Sequence, residues 1–196
     1  MTRVLLIRHA ESLWNAKGLW QGWGDPELSP RGRGQAETLG RELAQRGVSI
    51  DVLVASSLRR ALETAERVGS HLQVPVLPDP RLRELRVGSW EGKTRSDVER
   101  LDAEALSHFD SGDPLARAGG GETLAELAAR TRPAVAEHLE NAGDGCLALV
   151  LHLGVLRTLL PGRKDLANAG YVEVERDELV LDPRQSLTPV PHGRVR

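Results

Sequence analysis

The chain has 196 residues, 40% of them hydrophobic and 28% charged, with a formal net charge of −2. That length supports one domain with a real core, and the charge balance gives no electrostatic case for a nucleic-acid partner. The single Cys146 rules out an intramolecular disulfide and a cysteine-based metal cluster. With neither a signal-peptide pattern nor an apolar run of bilayer length, no membrane partner is expected and the expected location is cytoplasmic.

Val4-Leu5-Leu6-Ile7 reads as a buried inner strand of a parallel sheet, and it runs directly into Arg8-His9-Ala10-Glu11. Ligands of open α/β sheets sit at the carboxyl ends of strands, so Arg8 and His9 stand where chemistry is usually done. The stretch from Leu13 to Asp25 holds Trp14, Trp20 and Trp23 among Gly18, Gly22 and Gly24. It reads as a sharply bent loop with tryptophans that wall a pocket or anchor the loop, and with Asn15 and Gln21 as neutral hydrogen-bonding groups.

Ser29-Pro30 marks a helix start, Ala36, Leu39, Leu43 and Ala44 its buried face, and Gly47 its stop. Ile50 to Ala55 reads as a second strand. Ser56-Ser57 is expected to cap the next helix, whose apolar positions are Leu58, Ala61, Leu62, Ala65, Val68 and Leu72. That helix opens on Arg59 and Arg60, cations that oppose the helix dipole unless an anion binds there, so this end points to a phosphate or carboxylate ligand.

Val74 to Leu77 reads as another strand, 94 to 109 as helix, and Ser111 to Gly121 as an irregular segment, so that 93 to 121 forms an excursion over one end of the sheet. Thr123-Leu124-Ala125-Glu126 is a capping box opening a helix that continues past Pro133. Cys146 to Leu153, the most apolar run, is expected to be a central strand containing His152. By itself His152 reads as a satisfied core histidine; at a strand's carboxyl end it would share a rim with Arg8 and His9. Tyr171 to Glu175 followed by Leu179 to Leu181 suggests an edge hairpin, and 183–196 a loose tail. The expected organisation is a single domain over 1–182.

In series these motifs resemble the histidine phosphatase superfamily, the phosphoglycerate-mutase-like proteins. Arg8-His9-Ala10-Glu11-Ser12 with Trp14-Asn15 is similar to the family's phosphohistidine motif; Gln21-Gly22 with Asp25, Leu28-Ser29 and Gly32 to its next run. Ser56-Ser57-Leu58-Arg59-Arg60-Ala61 is similar to its arginine-bearing helix start, with Arg60 as the matching arginine. Leu82-Arg83-Glu84 with Gly88, Trp90, Glu91 and Gly92 resembles the segment carrying its acid. Gly120-Gly121-Glu122-Thr123 with Arg130, and Asn168-Ala169, complete the order. The family pattern has a small hydroxyl residue before its second histidine and glycine after it; here these are Leu151 and Leu153, and Leu153 is expected to narrow the pocket or tilt His152.

The resemblance implies a three-layer α/β/α sandwich on a mostly parallel sheet. It implies a phosphomonoester hydrolase of the phosphatase branch acting through a phosphohistidine on His9, with Glu84 as acid and base. His152 joins these two as the third catalytic residue, protonated beside the phosphoryl group, and Arg8, Asn15, Gln21, Gly22 and Arg60 are implied to bind phosphate. No metal and no cofactor are required, the partner is a small phosphorylated metabolite, and the chain is a monomer or homodimer. The alternatives are a cofactor-dependent phosphoglycerate mutase, a phosphohistidine or phosphoprotein phosphatase or binding module, and a metal hydrolase built on His9, Glu11 and His152.

Overall fold

The computed structural model describes residues 3–162, 165–182 and 185. Five short apolar runs form one sheet: β1 (Arg3–Arg8), β2 (Val52–Ser56), β3 (Val76–Asp79), β4 (Leu147–Leu151) and β5 (Tyr171–Glu175), in the order β3-β2-β4-β1-β5. β2, β4 and β1 run parallel, as do β2 and β3, while β5 joins antiparallel to β1 at the edge. The placement follows burial: all five residues of β4, Leu-Ala-Leu-Val-Leu, are buried and the strand takes the middle, whereas β5 alternates Val and Glu and closes an edge.

Alternate side chains of the inner strands feed two apolar layers. Leu5 and Ile7 of β1, Leu53 and Ala55 of β2, and Ala148 and Val150 of β4 pack on helices α2 (Pro30–Gln45) and α3 (Arg59–Leu72) through Leu39, Leu43, Ala61, Ala65 and Val68. Val4, Leu6, Val54, Leu149 and Leu151 pack the other way, on α6 (Leu124–Ala142) and α7 (Leu153–Leu159), through Leu127, Val135, Leu139, Val155 and Leu159. The result is the expected α/β/α sandwich with a mostly parallel sheet.

Local signals hold where they rest on capping chemistry. Ser29 caps α2 with Pro30 in its first turn, Gly47 follows the helix at φ +65°, and Thr123 and Glu126 form the capping box of α6. Several boundaries move. Ser56 and Ser57 do not cap α3: Leu58 is its N-cap, and the Arg59 N–H is taken instead by the Asp25 carboxylate at 2.6 Å. β2 starts at Val52, because Asp51 turns its side chain to the Cys146 N–H, and β3 starts after Pro75, which cannot donate to a ladder. Residues 94–109 form two helices, α4 (Arg95–Leu101) and α5 (Ala103–Asp110), broken at Asp102, whose side chain caps the second. The edge hairpin does not form: the chain leaves β5 through a 3₁₀ turn at Arg176–Glu178, and Leu179 and Leu181 pack on the core. The expectation of a loose tail falls, apart from Gln185, outside the described residues.

The excursion over 93–121 is fastened to the tryptophan loop. Trp20, Trp90 and Phe109 meet edge to face with ring centroids 5.1–5.7 Å apart. The Trp20 N–H donates to Lys93 O and the Gly92 N–H to Trp20 O. Three of the four tryptophans thus anchor structure near the carboxyl ends of the strands: Trp20 and Trp90 in this cluster, and Trp14, after the short helix α1 (Leu13–Ala16) begins, against Gly24.

Candidate active site

β1 ends at Arg8, and the ladder continues one step further through His9 N–H to Leu151 O at 2.9 Å. This fixes the His9 backbone against the end of β4. The His9 ring is 3% exposed, and its Nδ1 lies 2.7 Å from the carbonyl oxygen of Ala10. A carbonyl only accepts, so Nδ1 carries the proton and Nε2 keeps its lone pair. Burial, and then the Arg60 charge, hold the imidazole well below its ordinary pKa, against the opposing effect of the Ala10 bond. His9 is therefore a neutral imidazole with a defined free nitrogen.

Arg60, in the first turn of α3, is fully buried. Its terminal nitrogens donate to the carbonyls of Gly24 and Gly22, each at 2.9 Å, and Nε has no partner among the described residues. Burial lowers its pKa to about 10, with Glu84, Asp25 and Glu91 acting the other way, so it stays cationic at neutral pH. Gly22 has φ +48°, and a Cβ there would lie 2.6 Å from the Glu91 carboxylate and 2.7 Å from Val87, so the turn that presents its carbonyl needs glycine. Arg59, by contrast, points outward to Glu27 and Glu63.

Arg8 donates from one terminal nitrogen to Leu166 O at 2.6 Å, and its buried Nε is also unpartnered among the described residues. His152 does not lie inside β4 but one residue past it, as the extended N-cap of α7. It is fully buried, its Nε2 is 2.7 Å from Ser56 Oγ, its ring centroid is 5.1 Å from that of His9, and its Nδ1 has no partner among the described residues. Burial first, and then Arg60 and His9, push its pKa well below the ordinary value. In the protein alone burial, and then the neighbouring arginines and the His9 imidazole, favour the neutral form of His152; the cation expected from sequence is one paired with a bound phosphoryl group.

Glu84 follows the 3₁₀ turn at Pro80–Leu82, and its carboxylate accepts from the Leu85 N–H at 2.8 Å and the Gly154 N–H at 3.1 Å. Its carbonyl accepts from the Trp23 indole and from Arg130, each at 2.8 Å. Arg130 also holds the carbonyls of Arg81 and Arg83 and pairs with Glu122, so the acid-bearing loop is pinned from α6. Glu84 lies within electrostatic range of both Arg8 and Arg60.

The remaining residues singled out in the sequence have supporting positions. The Asn15 side chain uses its carbonyl oxygen for every bond it makes among the described residues, accepting from Ser12 N–H and Oγ and from Asn168, which leaves its side-chain NH₂ unengaged there. Gln21 Oε1 takes a 2.6 Å bond from Ser12 Oγ, so Gln21 braces the loop. Glu11 turns its carboxylate to Ser29 Oγ and Arg31, away from the two histidines. The metal-hydrolase alternative therefore loses its bridging carboxylate. Among the described residues no three His, Cys, Asp or Glu side chains group to hold a metal ion.

Leu153 lines a hollow of about 180 Å³ together with Leu156, Arg157, Leu160, Asp165, Leu166 and Val172, and the His152 ring is held by Ser56. Reading the sequence missed Ser56 as the partner of His152 and Gly154 as the partner of Glu84. The place of Ser56, at the carboxyl end of β2, is a signal that would have found it.

A neutral histidine beside two guanidiniums, a second imidazole and a carboxylate suits phosphoryl transfer. Comparison with known sequences agrees: the sequence model of the histidine phosphatase superfamily (branch 1) matches residues 4–177, and the chain belongs to that family. It is 33% identical over 165 residues to glucosyl-3-phosphoglycerate phosphatase of Mycobacterium tuberculosis, covering 80% of this chain and 73% of that one. It is 43% identical over 102 residues to the 2,3-bisphosphoglycerate-dependent phosphoglycerate mutase of Thermobifida fusca, a match that spans 50% of this chain and 41% of the mutase. Among solved structures it superposes on Bacillus stearothermophilus YhfR with a TM-score of 0.83 at 29% identity, covering 93% of this chain and 96% of that one.

Proposed function

We propose that this protein hydrolyses a small phosphomonoester through a phosphohistidine intermediate on His9, independently of metal. The observation that carries this reading is the 2.7 Å contact of His9 Nδ1 with Ala10 O, which leaves Nε2 as the nucleophile beside Arg8 and Arg60. Nε2 attacks phosphorus and the P–O ester bond breaks. Arg8, Arg60 and His152 donate to the equatorial oxygens, with Asn15 as a further neutral donor. Glu84, as the carboxylic acid, gives its proton to the departing alkoxide. It then takes a proton from water as the water oxygen attacks phosphorus, the P–N bond breaks and His9 is restored.

Two guanidiniums supply the charge that such a transition state needs. The similarity to the M. tuberculosis phosphatase is consistent with hydrolysis, and matches of comparable identity to 2,3-bisphosphoglycerate-dependent phosphoglycerate mutases extend over as much of both chains. The similarity to the T. fusca mutase keeps a second reading in play, transfer of the phosphoryl group to another hydroxyl. The test is incubation with para-nitrophenyl phosphate and with 3-phosphoglycerate, chelator present, assaying free phosphate and 2-phosphoglycerate. Phosphate release without isomer supports the hydrolase; isomerisation stimulated by bisphosphoglycerate makes it a mutase.

A further inference from the structure

Ser56 ends β2 and His152 follows β4, its parallel neighbour, so the sheet register brings both to one rim. Both are fully buried, and Ser56 Oγ lies 2.7 Å from His152 Nε2. Either atom could in principle supply the hydrogen, and the surroundings decide which does. Ser56 Oγ also accepts from the Leu58 N–H at 3.3 Å, and it has no other acceptor for its own proton among the described residues. If Nε2–H donated to the serine, the hydroxyl proton would be buried without an acceptor. If the serine donates to Nε2, both atoms of that contact are satisfied, and the one donor left over is Nδ1–H.

The consequence appears at the other ring nitrogen. Among the described residues His152 Nδ1 is buried and unpartnered, as are Nε of Arg8 and Nε of Arg60. A lone pair on Nδ1 would repel phosphoryl oxygens, whereas a proton there adds a third donor to the two guanidiniums. From this we infer that Ser56 is a positioning residue: its hydroxyl donates to His152 Nε2 and so fixes the imidazole in the Nδ1–H form, making a neutral His152 a hydrogen-bond donor to the transferring phosphoryl group. The inference rests on the proposed phosphoryl-transfer reading for its purpose, though the tautomer itself does not.

The test is long-range proton–nitrogen correlation on the full chain labelled with ¹⁵N-histidine, with His152 assigned by its loss in H152N. The expected spectrum shows Nε2 unprotonated and Nδ1 protonated, with Nδ1 moving most when inorganic phosphate is added. In S56A the two tautomers are expected to mix, and kcat for para-nitrophenyl phosphate to fall by roughly tenfold or more. S56T, which keeps the hydroxyl, is expected to restore both the tautomer and the rate. A protonated Nε2 in the unsubstituted protein overturns the inference, and so does an S56A protein that keeps the Nδ1–H form. The unsubstituted spectrum decides even if the variants fold poorly. Failure of the phosphohistidine reading is seen separately, as full activity in H9A.

Discussion

The Glu84 carboxylate rests on the backbone N–H of Gly154 at 3.1 Å, and a methyl group added at residue 154 would lie 2.3 Å from Glu84 Oε1. The acid is thus seated by the first turn of the helix that begins immediately after His152. G154A is predicted to displace the carboxylate while leaving His9 and its arginines in place. Its kcat should fall by roughly tenfold to a hundredfold, the usual cost of moving a catalytic group by about an ångström. Phosphate affinity, read as competitive inhibition by inorganic phosphate, should change little.

Leu153, one residue earlier, is predicted to behave differently. Its side chain lines the hollow with Leu156, Leu160, Leu166 and Val172. L153G should change kcat/KM by less than about threefold, while thermal denaturation shows a loss of about 1 kcal/mol of stability from the missing apolar contact. A large gain in kcat would mean that Leu153 obstructs the phosphate site after all.

Much of this site was legible in the sequence. The strand ending in Arg8-His9 needed only an apolar run meeting an Arg-His pair, and Ser29, Gly47 and Thr123 declared helix ends through capping chemistry that is local in sequence. What was not legible depends on contacts between distant segments. Asp25 caps α3 from 34 residues away, so the local Ser56-Ser57 signal misled. Ser56 is 96 residues from His152, and Glu84 is 70 from Gly154. The depressed pKa of His152 likewise comes from burial and from Arg60 and His9, none of which its own neighbours in sequence disclose.

Arg60 offers a test of fork geometry. Two of its nitrogens are committed to Gly22 O and Gly24 O, and the third is buried without a protein partner. Lysine carries the charge but cannot bridge both carbonyls while presenting a further donor. R60K is therefore predicted to lose about a hundredfold or more in kcat/KM, as R60A also should. Near-complete rescue by lysine would show that charge alone matters at this position.

The two imidazoles also set a pH dependence of stability. His9 and His152 are held well below their ordinary pKa in the folded chain, chiefly by burial, while in the unfolded chain each titrates near about 6.5. As pH falls through that value the unfolded state takes up protons and the folded state does not, so stability drops; above it these groups contribute nothing. Tm measured from pH 8 to 5 should be flat with respect to these groups above about 6.5 and fall below it. In H9N the fall should be shallower. An H9N slope as steep as that of the unsubstituted protein would contradict the neutral assignment.

The central claim is that phosphorus passes through His9 Nε2. The most direct measurement is rapid quench of the enzyme with para-nitrophenyl phosphate into base, followed by mass spectrometry of the proteolytic peptide that carries His9. The account predicts an acid-labile, base-stable phosphoryl group on His9, formed at a rate no slower than turnover and absent in H9A together with phosphate release. Full hydrolysis by H9A, or turnover with no phosphoryl group on His9, would contradict it.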